Sequence, residues 1–124
     1  MLYHLRRIKT EHLLPEFEDF EAYIDSPLAV EATNIFHKSV EDCFSDEAKK
    51  LVEQGINPIG FPGLKTSVTS DESKMINFSK KPLVIISASG MCEAGRIRHH
   101  LKHNLWRPES TILFVGYQVP GTLG

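Results

Sequence analysis

Leu83-Val84-Ile85-Ile86-Ser87-Ala88-Ser89-Gly90-Met91-Cys92-Glu93-Ala94-Gly95-Arg96 is the stretch whose reading decides the fold. It opens with consecutive apolar residues, as in a strand buried on both faces of a parallel sheet. Small residues follow at Ala88 to Gly90, and a helical pattern is predicted from Glu93 to Leu105. Strand, small-residue loop and helix in that order make the β-to-α half of a crossover unit. Thr111-Ile112-Leu113-Phe114-Val115 is a second run of the same kind, predicted as another fully buried strand.

The same alternation extends toward the N-terminus. Leu2, Leu5 and Ile8 are three apart and predict a helix over 2–9, which ends before Leu13-Leu14-Pro15. That helix starts without a cap, which reads as a cut from a longer chain. Glu21-Ala22-Tyr23-Ile24 is a short strand. Ser26 is an N-cap and Pro27 suits the first helical position of a helix from about Leu28 to Cys43. Its expected apolar stripe is Leu28, Ala32, Ile35, Phe36, Val40 and Cys43. A helix from Ser45 stops at Gly55, Ile56 to Gly63 is a loop, and Leu64 to Thr69 is a strand. Ser70 or Asp71 caps a short helix that runs through Met75 and Phe78. The fold class is therefore α/β: a three-layer sandwich with a mostly parallel, Rossmann-like sheet flanked by helices, in one domain over residues 1–124.

Composition sets the outer bounds. The chain is 41% hydrophobic and carries net charge −2 from 14 basic and 16 acidic side chains, so it is neither a polycation nor a disordered acidic tract. No apolar run is long enough to span a membrane, and no signal peptide is legible, so no membrane partner is expected. Cys43 and Cys92 are too few for a disulfide framework, which points to a reducing cytoplasm. The charge is uneven. Glu11, Glu16, Glu18, Asp19, Glu21 and Asp25 crowd 11–25 without Lys or Arg, while Arg96, Arg98, Lys102 and Arg107 crowd 96–107 without an acid. An anionic partner belongs at the second stretch.

In parallel sheets ligands sit at the carboxyl ends of the strands. Three segments qualify: Asp25-Ser26-Pro27, Ser87 to Met91, and Gly116 to Gly124. Ser89, Gly90 and Met91 lead to a predicted helix start where free N–H groups favour a phosphate, with Arg96 close behind. No P-loop, G-x-G-x-x-G fingerprint or nucleophile elbow is present. Asp25 and Ser26 could serve as a catalytic acid and a donor, yet helix capping explains them fully. Ile97, Leu101 and Leu105 form the expected buried stripe of the basic helix. His99 and His103 are four apart, as metal ligands can be, but the zincin pattern is absent and a solvated basic face explains them. Cys92 is read as a packing residue, since no base accompanies it. Trp106 is read as closing the helix, with base stacking the sharper alternative.

Asp25-Ser26-Pro27-Leu28-Ala29, Ile86-Ser87-Ala88-Ser89-Gly90-Met91 with Gly95-Arg96, and Gly116-Tyr117-Gln118 with Gly121-Thr122-Leu123-Gly124 together resemble the β-CASP domain. That domain is inserted in metallo-β-lactamase-fold nucleases, a group that includes the pre-mRNA 3′-end cleavage endonuclease and, more distantly, RNase J. The stretch His100 to Trp106 is most similar to bacterial members. The resemblance implies a domain that closes over an active-site cleft and guides single-stranded RNA. There, two zinc ions in the metallo-β-lactamase domain of the same parent chain activate a water for phosphodiester hydrolysis. It implies RNA-phosphate contacts from Ser89, Gly90, Met91, Arg96, Gln118, Gly121 and Thr122, and the charges of Arg98, Lys102 and Arg107 on the basic helix are expected to extend that track. The family's His-x-His-x-Asp-His zinc signature, its later histidine motifs and its preceding acidic motif are not in these residues. No catalytic residue and no metal ligand is therefore expected within the chain, and it is expected to be inactive alone. Two alternatives remain: a free-standing nucleotide-binding module, and an interaction domain whose basic helix meets an acidic protein.

Overall fold

A computed structural model describes residues 1–17 and 19–124. Glu18, part of the acidic stretch, lies outside the described residues. The elements are α1 (Leu2–Thr10), a single 3-10 turn (Pro15–Phe17), β1 (Glu21–Asp25), α2 (Pro27–Lys38), α3 (Val40–Cys43), α4 (Asp46–Glu53), β2 (Leu64–Thr66), α5 (Ser70–Ile76), β3 (Leu83–Ser87) and α6 (Ile97–Asn104). The sheet order is β2-β1-β3 and both pairings are parallel. Ala22 lies opposite Leu64 and Val84, and Asp25 lies opposite Ser87. The architecture is the expected α/β one.

Side chains alternate across a strand, so Ala22 and Ile24 share one face of β1 while Tyr23 and Asp25 share the other. The first face carries the main core. Phe20, Ala22 and Phe61 are buried there, and Leu2, Leu5 and Ile8 of α1 pack onto them together with Leu64 and Val84. The rings of Phe20 and Phe61 are tilted, with centroids 6.2 Å apart. Lys9 closes the edge: its Nζ donates to the Phe20 carbonyl at 2.7 Å and lies 4.9 Å above the Phe20 ring. The second face meets α5 and α6 at the carboxyl end of β1, through Asp25.

Local chemistry sets the helix ends. Ser26 Oγ accepts the Ala29 N–H and Pro27 takes the first helical position, as predicted. Ser45 Oγ accepts from Ala48 N, and Gly55 follows α4 at φ +74°. The cap of α5 is Thr69 instead of Ser70 or Asp71. A reciprocal capping box fixes it, with Glu72 Oε2 accepting from the Thr69 and Val68 N–H groups.

Four expectations need correction. The helix predicted over 28–43 breaks at Ser39 into α2 and α3. Of its apolar stripe, Leu28, Ala32, Ile35, Phe36 and Cys43 are exposed, and only Val40 is half-buried. The strand predicted over 64–69 stops at Thr66, because Glu72 takes the Val68 and Thr69 N–H groups that a ladder would need. The helix predicted from Glu93 starts at Ile97, because Cys92 and Gly95 take left-handed backbone at φ +60° and +78°. Thr111–Val115 is not a strand among the described residues, and Leu113 and Val115 are 75% and 72% exposed. An apolar run of that kind gains burial only when both its faces are covered, and here neither is. Its pattern states a preference without supplying the neighbours.

Replacing Phe20 with Ala should cost about 3 kcal/mol by opening a cavity under α1. A urea unfolding curve should show a lower midpoint, and an unchanged midpoint would remove Phe20 from the core.

Candidate nucleic-acid interface

β1 is the central strand and ends at Asp25, whose side chain is fully buried. A buried carboxylate must be answered by donors from the protein itself. Oδ1 accepts from Arg96 Nη1 at 2.9 Å. Oδ2 accepts from Ser73 Oγ at 2.7 Å and lies 2.6 Å from His100 Nε2. The Asp25 carbonyl accepts from Ser87 Oγ at 3.1 Å. Arg96 also donates to the carbonyls of Ser67 and Val68. Burial is the largest influence on Asp25 and would raise its titration point. The hydrogen bonds from His100, Ser73, Ser67 and Arg96 outweigh it and hold the group below the ordinary carboxylate value. One side chain thus ties the end of β1 to the segment after β2, to α5 and to α6.

The loop from Ser87 to Arg96 is built on that anchor. Ser89 N donates to Ala94 O at 3.1 Å, Cys92 N to Ser89 O at 3.1 Å, and Ile97 N to Ala88 O at 3.2 Å. Gly95 is required where it stands. A Cβ there would sit 2.5 Å from the Ala88 carbonyl oxygen, on left-handed backbone. Gly90 is exposed at the tip, and Ser89 and Met91 are half-buried beside it. Cys92 is buried, in agreement with a packing role.

The segment Gly116 to Gly124 folds back onto this loop. Gly124 N donates to Met91 O at 3.1 Å, and Leu123 N donates to Glu93 Oε1 at 2.7 Å. Two loops singled out from sequence are therefore neighbours. Their polar side chains are partly engaged with each other's backbone or their own. Gln118 Nε2 donates to Gly116 O, and Thr122 Oγ1 donates to Val119 O. Gly121 takes φ +91° in the same turn.

Arg98 and Lys102 lie exposed on α6, and Arg98 reaches the Glu93 carbonyl at 3.4 Å. His99 and His103 share that exposure. Arg107 is half-buried, bonded to Asn104 and Glu109. Trp106 is 77% exposed, so it does not cover the helix end as expected. Leu105 is likewise exposed, while Ile97 and Leu101 are half-buried. Arg96 departs most from expectation. Its guanidinium turns inward to Asp25 instead of standing free beside Arg98.

The buried residue of α6 is His100, which sequence reasoning passed over. Its Nδ1 lies 2.9 Å from Asn77 Oδ1, and Asn104 donates to the same oxygen at 2.9 Å. A histidine within a basic run carries no mark of burial. The one available signal was its place beside Ile97, Leu101 and Asn104 on a single helix face. Among the described residues no three His, Cys, Asp or Glu side chains converge as metal ligands would. No helix among them is long and apolar enough to cross a membrane.

Comparison with known proteins gives a consistent set of matches. Residues 1–124 match the family model described as the Beta-Casp domain. The chain is 40% identical over 102 residues to ribonuclease TTHA0252 of Thermus thermophilus, covering 82% of this chain and 23% of that protein. It is 37% identical over 102 residues to the transcription termination factor FttA of a Lokiarchaeum species, covering 82% and 16%. It is 33% identical over 109 residues to the RNase J-like protein of Methanocaldococcus jannaschii, covering 88% and 24%. The chain thus spans a quarter or less of the length of these relatives.

Asp25→Asn should lower stability by about 3–5 kcal/mol at neutral pH, because it removes the buried charge facing Arg96 and His100. The carboxylate titrates lower folded than unfolded. Its stabilisation is therefore present above the unfolded value and is lost as pH falls through the folded one. Urea curves at descending pH should show the two proteins converging in acid. Gly95→Ala should cost about 1–3 kcal/mol through backbone strain and the clash with Ala88; an unchanged melting temperature would refute the requirement for glycine.

Proposed function

The chain belongs to the β-CASP domain family, and on that premise we propose that it guides single-stranded RNA across the cleft of a zinc-dependent ribonuclease. The observation that carries this reading is the meeting of the two loops at Met91 and Gly124, next to Arg98, which reaches the Glu93 carbonyl, with Lys102 exposed further along the same helix. Backbone N–H groups around the exposed Gly90 and the two cations form a track for a polyanion. Ser89, Gly90 and Met91 approach the phosphate. Arg98 and Lys102 extend the path, and Gln118, Gly121 and Thr122 line the adjoining loop. Arg96 contributes by setting the loop, its guanidinium held by Asp25 and by the Ser67 and Val68 carbonyls.

The relatives named as ribonuclease and RNase J-like protein support the substrate class. The residues of this chain do not fit a zinc centre: His100 is occupied by Asp25 and Asn77, and His99 and His103 find no third ligand among the described residues. The two zinc ions of the proposed enzyme are therefore assigned to a metallo-β-lactamase domain outside these residues. Phosphodiester hydrolysis belongs to that whole protein, and the chain alone is assigned binding without cleavage, in the cytoplasm.

Fluorescence anisotropy with single-stranded RNA of two lengths at several salt concentrations tests the reading. Affinity should rise with strand length and fall steeply with salt, as counterion release requires. Arg98→Ala and Lys102→Ala should each weaken binding severalfold and lower the salt slope by about 1. Saturable mononucleotide binding without length dependence would favour a nucleotide-binding module. No binding at low salt, by this chain or by a longer protein containing it, would overturn the reading.

A further inference from the structure

We infer that His100 is a positioning residue that carries a proton on each ring nitrogen, and that these two protons hold the Ser87–Arg96 loop in its ligand-facing shape. The hydrogen-bond directions fix both protons. Asn104 Nδ2 lies 2.8 Å from the His100 carbonyl, so it donates there. Asn104 Oδ1 lies 3.2 Å from Arg107 Nη1, so it accepts there. Turning the Asn104 amide would set oxygen against oxygen and N–H against N–H. Its Nδ2 therefore also donates to the Asn77 atom 2.9 Å away, which must be oxygen. Asn77 Nδ2, in turn, points to the Lys74 carbonyl. The same Asn77 oxygen lies 2.9 Å from His100 Nδ1, so Nδ1 must donate. On the other side of the ring, Nε2 faces the Asp25 carboxylate, an acceptor that already holds Ser73 and Arg96. Nε2 must donate too.

Loss of either proton would place a ring lone pair against an oxygen lone pair, at Asn77 or at Asp25. The ring sits one turn into α6, and α6 closes the loop through Ile97 N and Ala88 O. A shift of the ring is thus a shift of the loop. The charged groups around it are few. Asp25 of β1 is the anion. Arg96 is a second cation on the same carboxylate and keeps its charge at any physiological pH. Arg107 acts through Asn104, and Glu72 of α5 lies near Arg96. Ser73 and Asn77 of α5 are neutral. One carboxylate answers two cations, the buried imidazolium and the partly exposed Arg96 guanidinium, and of the two only the imidazolium can give up a proton. Removal of that proton therefore releases the loop.

The coupling of this proton to RNA rests on the function proposed above; the proton itself does not. Nitrogen-15 spectra of the labelled chain at neutral pH should show two protonated ring nitrogens for His100. As pH is raised, loss of that signal and movement of the Ser89, Met91, Ala94 and Gly95 amides should share one midpoint. Asn77→Asp places a carboxylate at Nδ1 and should move that midpoint up. In His100→Gln the loop amides should sit at their high-pH positions at every pH. RNA affinity should fall across the same step in the native chain and stay pH-independent in His100→Gln. A ring nitrogen without a proton at neutral pH, or loop amides that ignore the titration, would overturn the inference. If the chain binds no RNA, the functional reading fails while the spectra still decide the proton.

Discussion

A carboxylate with no contact with water must have its charge answered inside the protein, and at Asp25 that requirement recruits the whole carboxyl end of the sheet. Arg96, Ser73 and His100 come from segments 48 to 75 residues away in sequence. Two of the donors are fixed by further bonds: Arg96 by the Ser67 and Val68 carbonyls, and His100 by Asn77, which Asn104 also holds. Burying a charge is costly unless it is paired and hydrogen-bonded, so the network holds together or not at all. The hydrophobic core on the opposite face is small, centred on Phe20, Ala22 and Phe61. The polar cluster gives the sheet end a defined geometry that this core does not reach.

The same constraint explains how a flexible-looking sequence makes a defined surface. Ser87 to Gly95 is rich in small residues, yet its ends are pinned by Ser87 to Asp25 and by Ile97 to Ala88. The exposed part is short and lies next to Met91, where the terminal segment also arrives. Arg98 and Lys102 stand on the outer side of α6 while Arg96 and His100 stand on its inner side. One helix thus divides its cations between structure and solvent. The similarity to proteins named as ribonucleases and termination factors fits a surface of this kind, and these residues cover only a quarter or less of such chains. The apolar residues left exposed on α2 and over 112–115 have no counterpart within the described residues.

Some features were legible because their cause is local. Ser26-Pro27 starts a helix, since the cap oxygen and the missing proline N–H act on the next few residues only. Leu83 to Ser87 is a strand in the expected place. The three motif segments pointed to the family that the comparison shows. Other features were misread for one reason. The stripe Leu28, Ala32, Ile35, Phe36 and the run Thr111 to Val115 have the periodicities of buried elements, but periodicity reports what a segment could bury and not what is there to cover it. The start of α6 was misplaced because Cys92 adopts a left-handed backbone that nothing about cysteine announces.

The sequence by itself determined the parallel α/β class, most of the elements and the loops that carry the family likeness, because caps, glycines and apolar runs act over a few residues. The tertiary structure alone decided which polar groups are buried. Asp25 read as a cap neighbour, Arg96 read as a phosphate ligand, and nothing local marked His100. Each is instead a member of one cluster, since pairing between charges depends on distance in space, and separations of 71 and 75 residues leave no periodic trace in a single chain.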